Sequence, residues 1–410
     1  WTAGERSFEK TTLDPPLGSG PYRVTDIQPG RSIAYERVQD YWGADLPVNR
    51  GKYNFDRIEY LYYRDSTVAL EAFLGGEYDF RLENTAKFWA TSYDTPAVNS
   101  GEIRKELIPN DRPQGMQAFI FNIRRPVFQD RKVRRALAHA FDFEWSNKKF
   151  AYGAYKRTES YFANSALAAR APISEEERAL LAPFKADLPE EVFTQVYQAP
   201  ETDGSGRNRR NLRKAANLLD AAGWKLGPNG FRVHEESGQR LEFTILDNNP
   251  AFERWVGPFI KNLEKLGVQA RFRMVDTAQY QNRLNSFDFD MTIAVFPQST
   301  SPGNEQRNFW HSSRADQPGS RNYIGIKNAA VDAIVEKLIQ APSRQALVTR
   351  GKALDRALSW GHYVSPHWHL NAWRIAYQND LGRPAINPPY GLPVSETWWV
   401  EGGTQGRNGE

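Results

Sequence analysis

The alternation of helical and strand patterns between residues 212 and 296 restricts the fold of this chain more than any other feature. Leu212, Ala215 and Leu219 recur at helical spacing as far as Gly223, a residue type that often follows the last turn of a helix. Strand patterns then occupy residues 241–246, 268–275 and 289–296, and helical patterns occupy residues 252–266 and 277–285 between them. Strands that alternate with helices in this way predict an α/β lobe.

The remaining sequence predicts a second α/β lobe and two crossings of the chain between lobes. In the part of the chain before residue 123 we expect a hairpin over 22–37, a strand over 55–63, a helix from Ser66 to Gly75 and a strand over 119–122. Further along we expect a helix capped by Asp130, an irregular excursion over 157–206, helices over 329–339 and 344–358, and a last strand over 367–377. We therefore predict one lobe from residues 1–120 and 367–410, and another from residues 121–366. Crossings near 120 and 366 would make a hinge, and a cleft between hinged lobes is a common ligand site.

Composition narrows the functional classes. The 410 residues are enough for two or three domains. The 53 Lys and Arg residues only slightly exceed the 49 Asp and Glu residues, which weighs against a nucleic-acid binder. The absence of cysteine excludes disulfides, thiolate metal sites and cysteine nucleophiles, and it fits an oxidising compartment. The opening residues lack the pattern of a signal peptide, so we expect a mature, trimmed or non-exported form.

The sequence offers little for catalysis. It contains no GxSxG, Walker A, GxGxxG or HExxH pattern. His362, His367 and His369 lie within eight residues, and His367 and His369 would share one face of a strand, which could suit a metal. No carboxylate lies near them in the sequence, which favours a ligand-facing or hydrogen-bonding role. Asp288 and Asp290 alternate with two Phe residues, a pattern that favours rim carboxylates over an acid–base pair. We expect the basic residues within 207–214 to form a solvated helix start, and we expect no metal and no cofactor.

Residues 298–310 carry the strongest indication of a binding site. Ten successive polar or turn residues run from Gln298 to Arg307 after a predicted strand, and an aromatic pair, Phe309-Trp310, follows them. Ligands of α/β lobes bind at the carboxyl ends of strands, so these amides, hydroxyls and charges suit a polar ligand. The structural alternative is an ordinary surface loop, which Arg307 would brace by pairing with Glu305.

Several motifs make the chain resemble family 5 of the extracellular solute-binding proteins. Gly18-Ser19-Gly20-Pro21-Tyr22 is similar to the family's GSGPY signature, and the stretch from Phe121-Asn122 to Val133-Arg134-Arg135-Ala136 is similar to its "FN…PF.D..VR.A" pattern. Residues 218–224 resemble its "LL..AGW" segment. Residues 298–310, Gly361-His362-Tyr363 and Trp398-Trp399 resemble the Yej-type branch, which is linked to the uptake of peptides and peptide antibiotics.

This resemblance implies an α/β, two-lobed periplasmic-binding-protein fold of type II and of the large cluster C kind. It implies a non-enzymatic, monomeric periplasmic protein that binds a peptide or peptide-like solute, and no nucleic acid. Its partner would be the membrane permease of an ABC importer. The ligand contacts expected within the resemblance are Gln298, Ser299, Asn304, Glu305 and Arg307 on the polar side, and Trp310, Trp368 and His369 as walls near the hinge. A binder of opine or sugar-phosphate solutes on the same fold is the main alternative, and a hydrolase that uses Asp288 and Asp290 or the histidines is a weaker one.

The chain departs from the family pattern in two respects. Relatives carry a long segment before the GSGPY motif, so we expect that the usual N-terminal third is lacking here. Peptide binders of the family also place an Asp after the strand that corresponds to 293–296, where it pairs with the peptide amine. Gln298 and Ser299 occupy that region here, and Glu305 is a candidate substitute.

Overall fold

The computed structural model describes residues 13–402, and its internal contacts divide the chain into two units. Unit one joins the residues up to Asn110 with those from Ala372 onward, and unit two comprises Asp111–Asn371. These boundaries lie ten residues before and five residues after those predicted. The shift arises because residues 116–121 form a strand of the unit-two sheet, and the N–H of His367 donates to the carbonyl of Gln117 in that strand at 2.8 Å.

The elements follow one another in three stretches. The first part of unit one contains β1 Tyr22–Gln28, β2 Ser32–Arg37, β3 Arg57–Leu61, α1 Ser66–Leu74, β4 Phe80–Leu82, α2 Ala86–Thr91, α3 Pro96–Asn99 and β5 Ile103–Pro109. Unit two contains β6 Met116–Phe121, α4 Arg131–His139, α5 Phe143–Ala151, β7 Lys156–Arg157, α6 Glu175–Leu181, α7 Glu191–Thr194, α8 Arg209–Ala221, β8 Trp224–Leu226, β9 Arg232–His234, β10 Glu242–Asp247, α9 Glu253–Glu264, β11 Gln269–Met274, α10 Thr277–Asn285, β12 Met291–Phe296, α11 Glu305–Trp310, α12 Ala329–Ile339, α13 Arg344–Trp360, β13 Val364–Pro366 and β14 Trp368–His369. The return to unit one contains β15 Ala372–Gln378, β16 Leu381–Gly382, α14 Val394–Thr397 and β17 Trp399–Val400. Short 3-10 helices lie at Pro47–Asn49, Pro126–Phe128, Ala182–Phe184, Pro250–Phe252 and Ser312–Arg314.

Unit one is built on small antiparallel sheets. The predicted hairpin is confirmed as β1 and β2, and β3 pairs with β2 on its other side. A second sheet has the order β4-β15-β5, so a strand from the return of the chain lies between two strands of the first stretch. Asp65, rather than the predicted Ser66, caps α1, because its carboxylate accepts the N–H groups of Thr67 and Val68 at 2.8 and 3.0 Å.

Unit two is built around a five-stranded sheet with the order β11-β10-β12-β6-β13. β10 runs parallel to β11 and β12, whereas β6 is antiparallel to β12 and to β13. Consequently β10, β11, β12 and β13 all end at the same side of the sheet, which we call the carboxyl edge. Helices cover the sheet through large buried side chains that include Phe119, Phe121, Phe259 and Phe296.

Local signals set most of the unit-two elements. Asp130 caps α4 as predicted, since its carboxylate accepts the N–H of Lys132 at 2.7 Å. Gly223 follows α8 with a φ of +80°, a left-handed conformation that glycine adopts without strain. Residues 157–206 are less irregular than predicted, because α6 and α7 bury Leu181 and Val192 in the core. The predicted strand over 367–377 is divided into β14 and β15, which belong to different units.

Candidate ligand-binding site at the carboxyl edge of unit two

Two of the predicted groups of site residues follow strands that end at the carboxyl edge. Gln298 and Ser299 follow β12, and Trp368 and His369 follow β13. Between them along the sheet lies only β6, which runs in the opposite direction and begins at this edge. Open α/β sheets bind ligands at such an edge, where successive loops converge.

The loop after β12 is attached to α11 through one buried amide. Gln306 is fully buried, and its Nε2 donates to Oε1 of Gln298 at 2.8 Å. The Nε2 of Gln298 is itself buried and has no hydrogen-bond partner among residues 13–402. Ser299 is exposed, and its Oγ accepts the N–H of Ser301 at 3.2 Å. The loop therefore has an internal frame and still offers an amide donor and a hydroxyl.

Glu305 is exposed at the start of α11 and has one uncommitted carboxylate oxygen. Its Oε1 accepts the N–H of Gly303 at 2.8 Å and a longer hydrogen bond of 3.3 Å from Gln306, whereas Oε2 has no hydrogen-bond partner among the residues the structure describes. Asn304 is also exposed, and its Oδ1 accepts Nη1 of Arg307 at 2.7 Å. A carboxylate in this position can accept a hydrogen bond from a ligand without losing its own structural contact.

Arg307 is committed to a neighbouring helix. Its Nε and Nη2 donate to the two carboxylate oxygens of Glu336 on α12, each at 2.5 Å. The structural alternative in which Arg307 pairs with Glu305 is therefore wrong as to the partner, because the guanidinium faces α12. This bidentate ion pair joins α11 to α12.

Trp310 does not lie where a wall residue would. Its side chain is fully buried, its ring packs against Phe296 and Tyr161 at centroid distances of 4.5 and 5.2 Å, and its Nε1 donates to Oε1 of Gln306 at 2.8 Å. A large apolar ring with one satisfied polar atom is stable in a protein core. Trp310, the last residue of α11, is therefore a core residue that anchors this helix. The expectation that it forms a wall of the site is corrected.

Trp368 and His369 lie in an aromatic region beyond β13. Trp368 is half-buried and stacks on Trp255 with ring centroids 3.8 Å apart. Nδ1 of His369 and Oγ1 of Thr158 are 2.9 Å apart and form a hydrogen bond. Burial lowers the pKa of His369 to about 4, so its ring is neutral at neutral pH. The pair offers an apolar face beside a neutral hydrogen-bonding ring.

The other two histidines of the predicted cluster have surroundings different from those of His369. His367 is fully buried, and its Nδ1 lies 3.3 Å from Nε2 of Gln117. His362 precedes β13 and therefore lies at the opposite end of that strand. Among residues 13–402 no group of three or more His, Asp or Glu side chains is placed to hold a metal ion.

Asp247 at the end of β10 is a candidate that sequence reasoning missed. It is 2% exposed, its Oδ1 accepts the N–H of Asn248 at 2.8 Å, and its Oδ2 is buried with no hydrogen-bond partner among the described residues. Burial raises the pKa of this carboxyl to about 6. The signal in the sequence was the run Asp247-Asn248-Asn249 directly after a predicted strand.

The carboxylates of Asp288 and Asp290 are structural. Nη2 of Arg125 lies 3.3 Å from Asp288, and its Nε lies 3.1 Å from Asp290. Asp288 also pairs with Arg283 at 2.7 Å, and Asp290 accepts the N–H of Thr244 at 3.0 Å. The interpretation of the two residues as rim carboxylates is confirmed.

The chain is similar to known solute-binding proteins. A model of "Bacterial extracellular solute-binding proteins, family 5 Middle" matches residues 2–317. A probable peptide-binding protein of Agrobacterium fabrum, YejA, is 44% identical over 396 residues, which are 96% of this chain and 64% of that protein. A second protein of the same organism, named peptidoglycan-binding protein YepA, is 40% identical over 400 residues and is covered to 65%. This chain therefore spans less than two thirds of the length of these relatives.

A solved structure shows the same fold. The oligopeptide-binding protein AppA of Bacillus subtilis, in complex with a nonapeptide, superposes with a TM-score of 0.71 at 20% identity. The match covers 94% of this chain and 67% of the other. The predicted α/β fold of the type II periplasmic-binding-protein class is confirmed by this likeness. Within residues 13–402 no helix has both the length and the apolar character needed to cross a bilayer.

Proposed function

The chain belongs to family 5 of the bacterial extracellular solute-binding proteins, and we propose that it captures a peptide or peptide-like solute and delivers it to the permease of an ABC importer. The carboxyl edge of unit two carries this proposal. At this edge unpartnered polar atoms follow β10 and β12, and an aromatic face follows β13. A peptide requires both kinds of contact. The protein would act outside the cytoplasm and would leave its ligand chemically unchanged.

The polar atoms of the edge suit a peptide backbone. An amide of the ligand can accept from Nε2 of Gln298, which is buried without a hydrogen-bond partner, and can bond the exposed hydroxyl of Ser299. Such hydrogen bonds recover the free energy that an unpaired buried donor costs. The stacked rings of Trp255 and Trp368 provide an apolar face for side chains of variable shape.

Two carboxylates can receive the ligand's amine. The expected Asp after β12 is replaced by Gln298 and Ser299. Glu305, the first residue of α11, has a carboxylate oxygen without a hydrogen-bond partner among the described residues. Asp247 has a second unpaired oxygen at the end of β10. We propose that one or both of these acidic groups take the role of that Asp, because an ammonium group bound at a partly dry edge needs a charged acceptor.

One relative favours a second ligand class. The 40% identical protein from Agrobacterium fabrum is named as a peptidoglycan-binding protein. Peptidoglycan fragments carry short peptides, so they share the amide and amine chemistry to which the edge is suited. A muropeptide is therefore the second candidate ligand, whereas opine and sugar-phosphate solutes remain alternatives on the same fold.

Mass spectrometry of small molecules released from the denatured protein tests the proposal directly, and calorimetric titration follows with tetraalanine, N-acetyl-tetraalanine and a disaccharide tetrapeptide. We expect one of the free-amine ligands to bind and to be recovered intact. N-acetylation should weaken binding about tenfold or more, because it removes a charged hydrogen bond. Binding of opines or sugar phosphates alone would contradict the proposal. Cleavage of the peptide by the purified protein would replace it with the hydrolase alternative.

A further inference from the structure

Unit two contains a cleft that the carboxyl edge does not line. It is a cleft of about 1200 Å³ beside β13, the edge strand of the sheet. Its walls come from α4, from β7, from the segment 195–203, from the start of α8 and from the end of α13. We call it the basic cleft because six cationic side chains line it, namely Arg135, Lys156, Arg157, Arg207, Arg210 and Lys214.

Arg157 is the most unusual residue of the basic cleft. All three nitrogens of its guanidinium are buried, and none has a hydrogen-bond partner among the described residues. The group lies over the rings of Phe141 and Phe143, 4.9 and 5.2 Å from their centroids. Burial lowers the pKa of Arg157, although Glu144 and Glu159 act in the opposite direction. A buried guanidinium without an acceptor is costly, since almost all buried polar groups in proteins are paired.

Two histidines of the same cleft each have one ring nitrogen without a partner among the described residues. His139 is 8% exposed with an unpaired Nδ1, and His362 is 6% exposed with an unpaired Nε2. Nε1 of Trp360, a third nitrogen that lines the cleft, is buried without an acceptor. These nitrogens come from α4, from the end of α13 and from the turn that follows it. Unpaired nitrogens from separate elements therefore surround one cavity.

The cations at the rim are available as well. Lys156, Arg207, Arg210 and Lys214 are exposed, and their side chains make no ion pair within residues 13–402. Arg135 is the exception, because it shares Glu191 with Arg131.

Four carboxylates line the basic cleft, and three of them, all except the exposed Glu201, accept hydrogen bonds from the backbone of its wall. Glu144 accepts the N–H of Thr202 at 3.0 Å, and Glu159 accepts the N–H of Ala199 at 3.1 Å. Asp203 accepts the N–H of Ser205 at 2.9 Å. Glu159 also pairs with Arg170, and within residues 13–402 none of the four carboxylates forms an ion pair with the six cations of the cleft.

We propose that the basic cleft is a second binding site, for a small solute that carries a doubly charged oxyanion group, either a phosphate or a dicarboxylate. Unpaired donors in the interior and free cations at the rim both call for oxygen acceptors, and a doubly charged group can satisfy several of them at once. The volume accommodates a small organic solute as well as a bare ion. This site is additional to the solute site proposed at the carboxyl edge and does not depend on it.

The test compares inorganic phosphate and succinate with sodium chloride at matched ionic strength, using calorimetry and thermal melting of the whole chain. We expect at least one oxyanion to bind and to raise the melting temperature, and the relative affinities of phosphate and succinate assign the class. Arg157→Met should abolish this response. The same variant should melt no lower than the parent protein without ligand, because it removes an unpaired buried charge and keeps the apolar stem on Phe141 and Phe143.

A rim variant keeps the proposal testable if Arg157→Met folds poorly. Lys214→Gln alters an exposed side chain on α8 and should weaken oxyanion binding about tenfold without a change in melting of the free protein. Lys261→Gln, at an exposed position outside the cleft, is the matched control and should bind as the parent does. Equal responses to chloride and to both oxyanions, or an undiminished response in a folded Arg157→Met protein, would refute the site.

Discussion

At the scale of single residues, candidate ligand contacts differ from structural side chains in having a polar atom without a hydrogen-bond partner. Gln298 and Glu305 each keep one atom without a partner among the described residues, whereas Arg307 and Trp310 have theirs satisfied by Glu336 and Gln306. Unpaired atoms at the carboxyl edge are the ones a ligand can satisfy.

Glu305→Gln should weaken peptide binding while leaving the free protein nearly as stable as before. Oε1 of Gln can still accept the N–H of Gly303, so the start of α11 keeps its contact. The loss of a charged acceptor for the ligand should cost about 1–3 kcal/mol of binding free energy. Calorimetry with tetraalanine and thermal melting of both forms measure the two quantities.

Glu236→Gln provides the matched control for that substitution. Glu236 is exposed in the turn after β9 and lies outside the carboxyl edge. Its replacement should change neither affinity nor melting. Normal affinity in a folded Glu305→Gln protein would remove Glu305 from the site.

The raised pKa of Asp247 predicts that the stability of the folded protein depends on pH. Its folded-state pKa of about 6 lies above the ordinary value of 3.8, so the folded protein holds this proton more strongly than the unfolded chain. Its contribution to stability should therefore be largest below about pH 4, decline as the pH rises to about 6, and stay low above that. The total decline is at most about 3 kcal/mol.

Asp247→Asn should remove that decline and raise the melting temperature at neutral pH relative to the parent protein. The Asn oxygen can still accept the N–H of Asn248. Melting curves between pH 4 and pH 8 measure the effect, with Asp40→Asn, at an exposed position of unit one, as the control. Parallel pH profiles for the parent and Asp247→Asn would show that the buried carboxyl is not responsible.

At the scale of elements, α11 is positioned by its neighbours more than by its own sequence. It has only six residues, and Asn304 precedes it without capping it through its side chain. Its place depends on the buried ring of Trp310 below and on the ion pair between Arg307 and Glu336 at its side. A helix this short is stable only when tertiary contacts hold it.

Arg307→Gln and Glu336→Gln should therefore lower the melting temperature by similar amounts, and the double substitution should lower it little further. Both side chains are about one third exposed, so high salt should reduce the effect. Arg307 lowers the pKa of Glu336, which means that the stabilisation is present at neutral pH and is lost as the pH falls through that pKa. Additive losses in the double variant would show that the two side chains act independently.

The same variants distinguish bracing from ligand contact. If Arg307 only positions α11, the affinity for tetraalanine should fall in Arg307→Gln and Glu336→Gln alike, and only as far as folding does. A large loss of affinity confined to Arg307→Gln would instead make the guanidinium a direct ligand contact.

At the scale of the whole molecule, a bound solute should stabilise the native chain by mass action. A ligand that binds only the folded state adds about 2.7 kcal/mol at a hundredfold excess over its Kd. Scanning calorimetry with increasing tetraalanine should show a melting temperature that rises with the logarithm of ligand concentration. Tight binding measured by titration without such a rise would mean that the unfolded chain binds the ligand equally well.

The basic cleft and the carboxyl edge both lie on unit two. The two sites share no residue, but Arg157 of the basic cleft is paired in register with Trp368 of the carboxyl edge. Our expectation that residues 298–310 face a cleft between lobes stays a prediction. The division into lobes at 120 and 366 is likewise a prediction, which the observed units approach within ten residues.

Much of the secondary structure could be read from the sequence because it depends on residues close together in the chain. The predicted helices over 277–285 and 329–339 have the same limits in the structure. Hydrophobic spacing and capping act within a few residues, so they are visible in a sequence window. The same holds for the loop after β12, because a strand end and a polar run are both local features.

Only the tertiary structure decided which of those polar and aromatic residues are free. Arg307 forms an ion pair with Glu336, which lies 29 positions further along the chain. Trp310 is buried in a core that includes Tyr161. Asp247 and Arg157 became candidates through burial without a partner, which no local pattern reveals. Desolvation and pairing depend on everything that packs around a group in three dimensions, whereas the sequence shows only its neighbours along the chain.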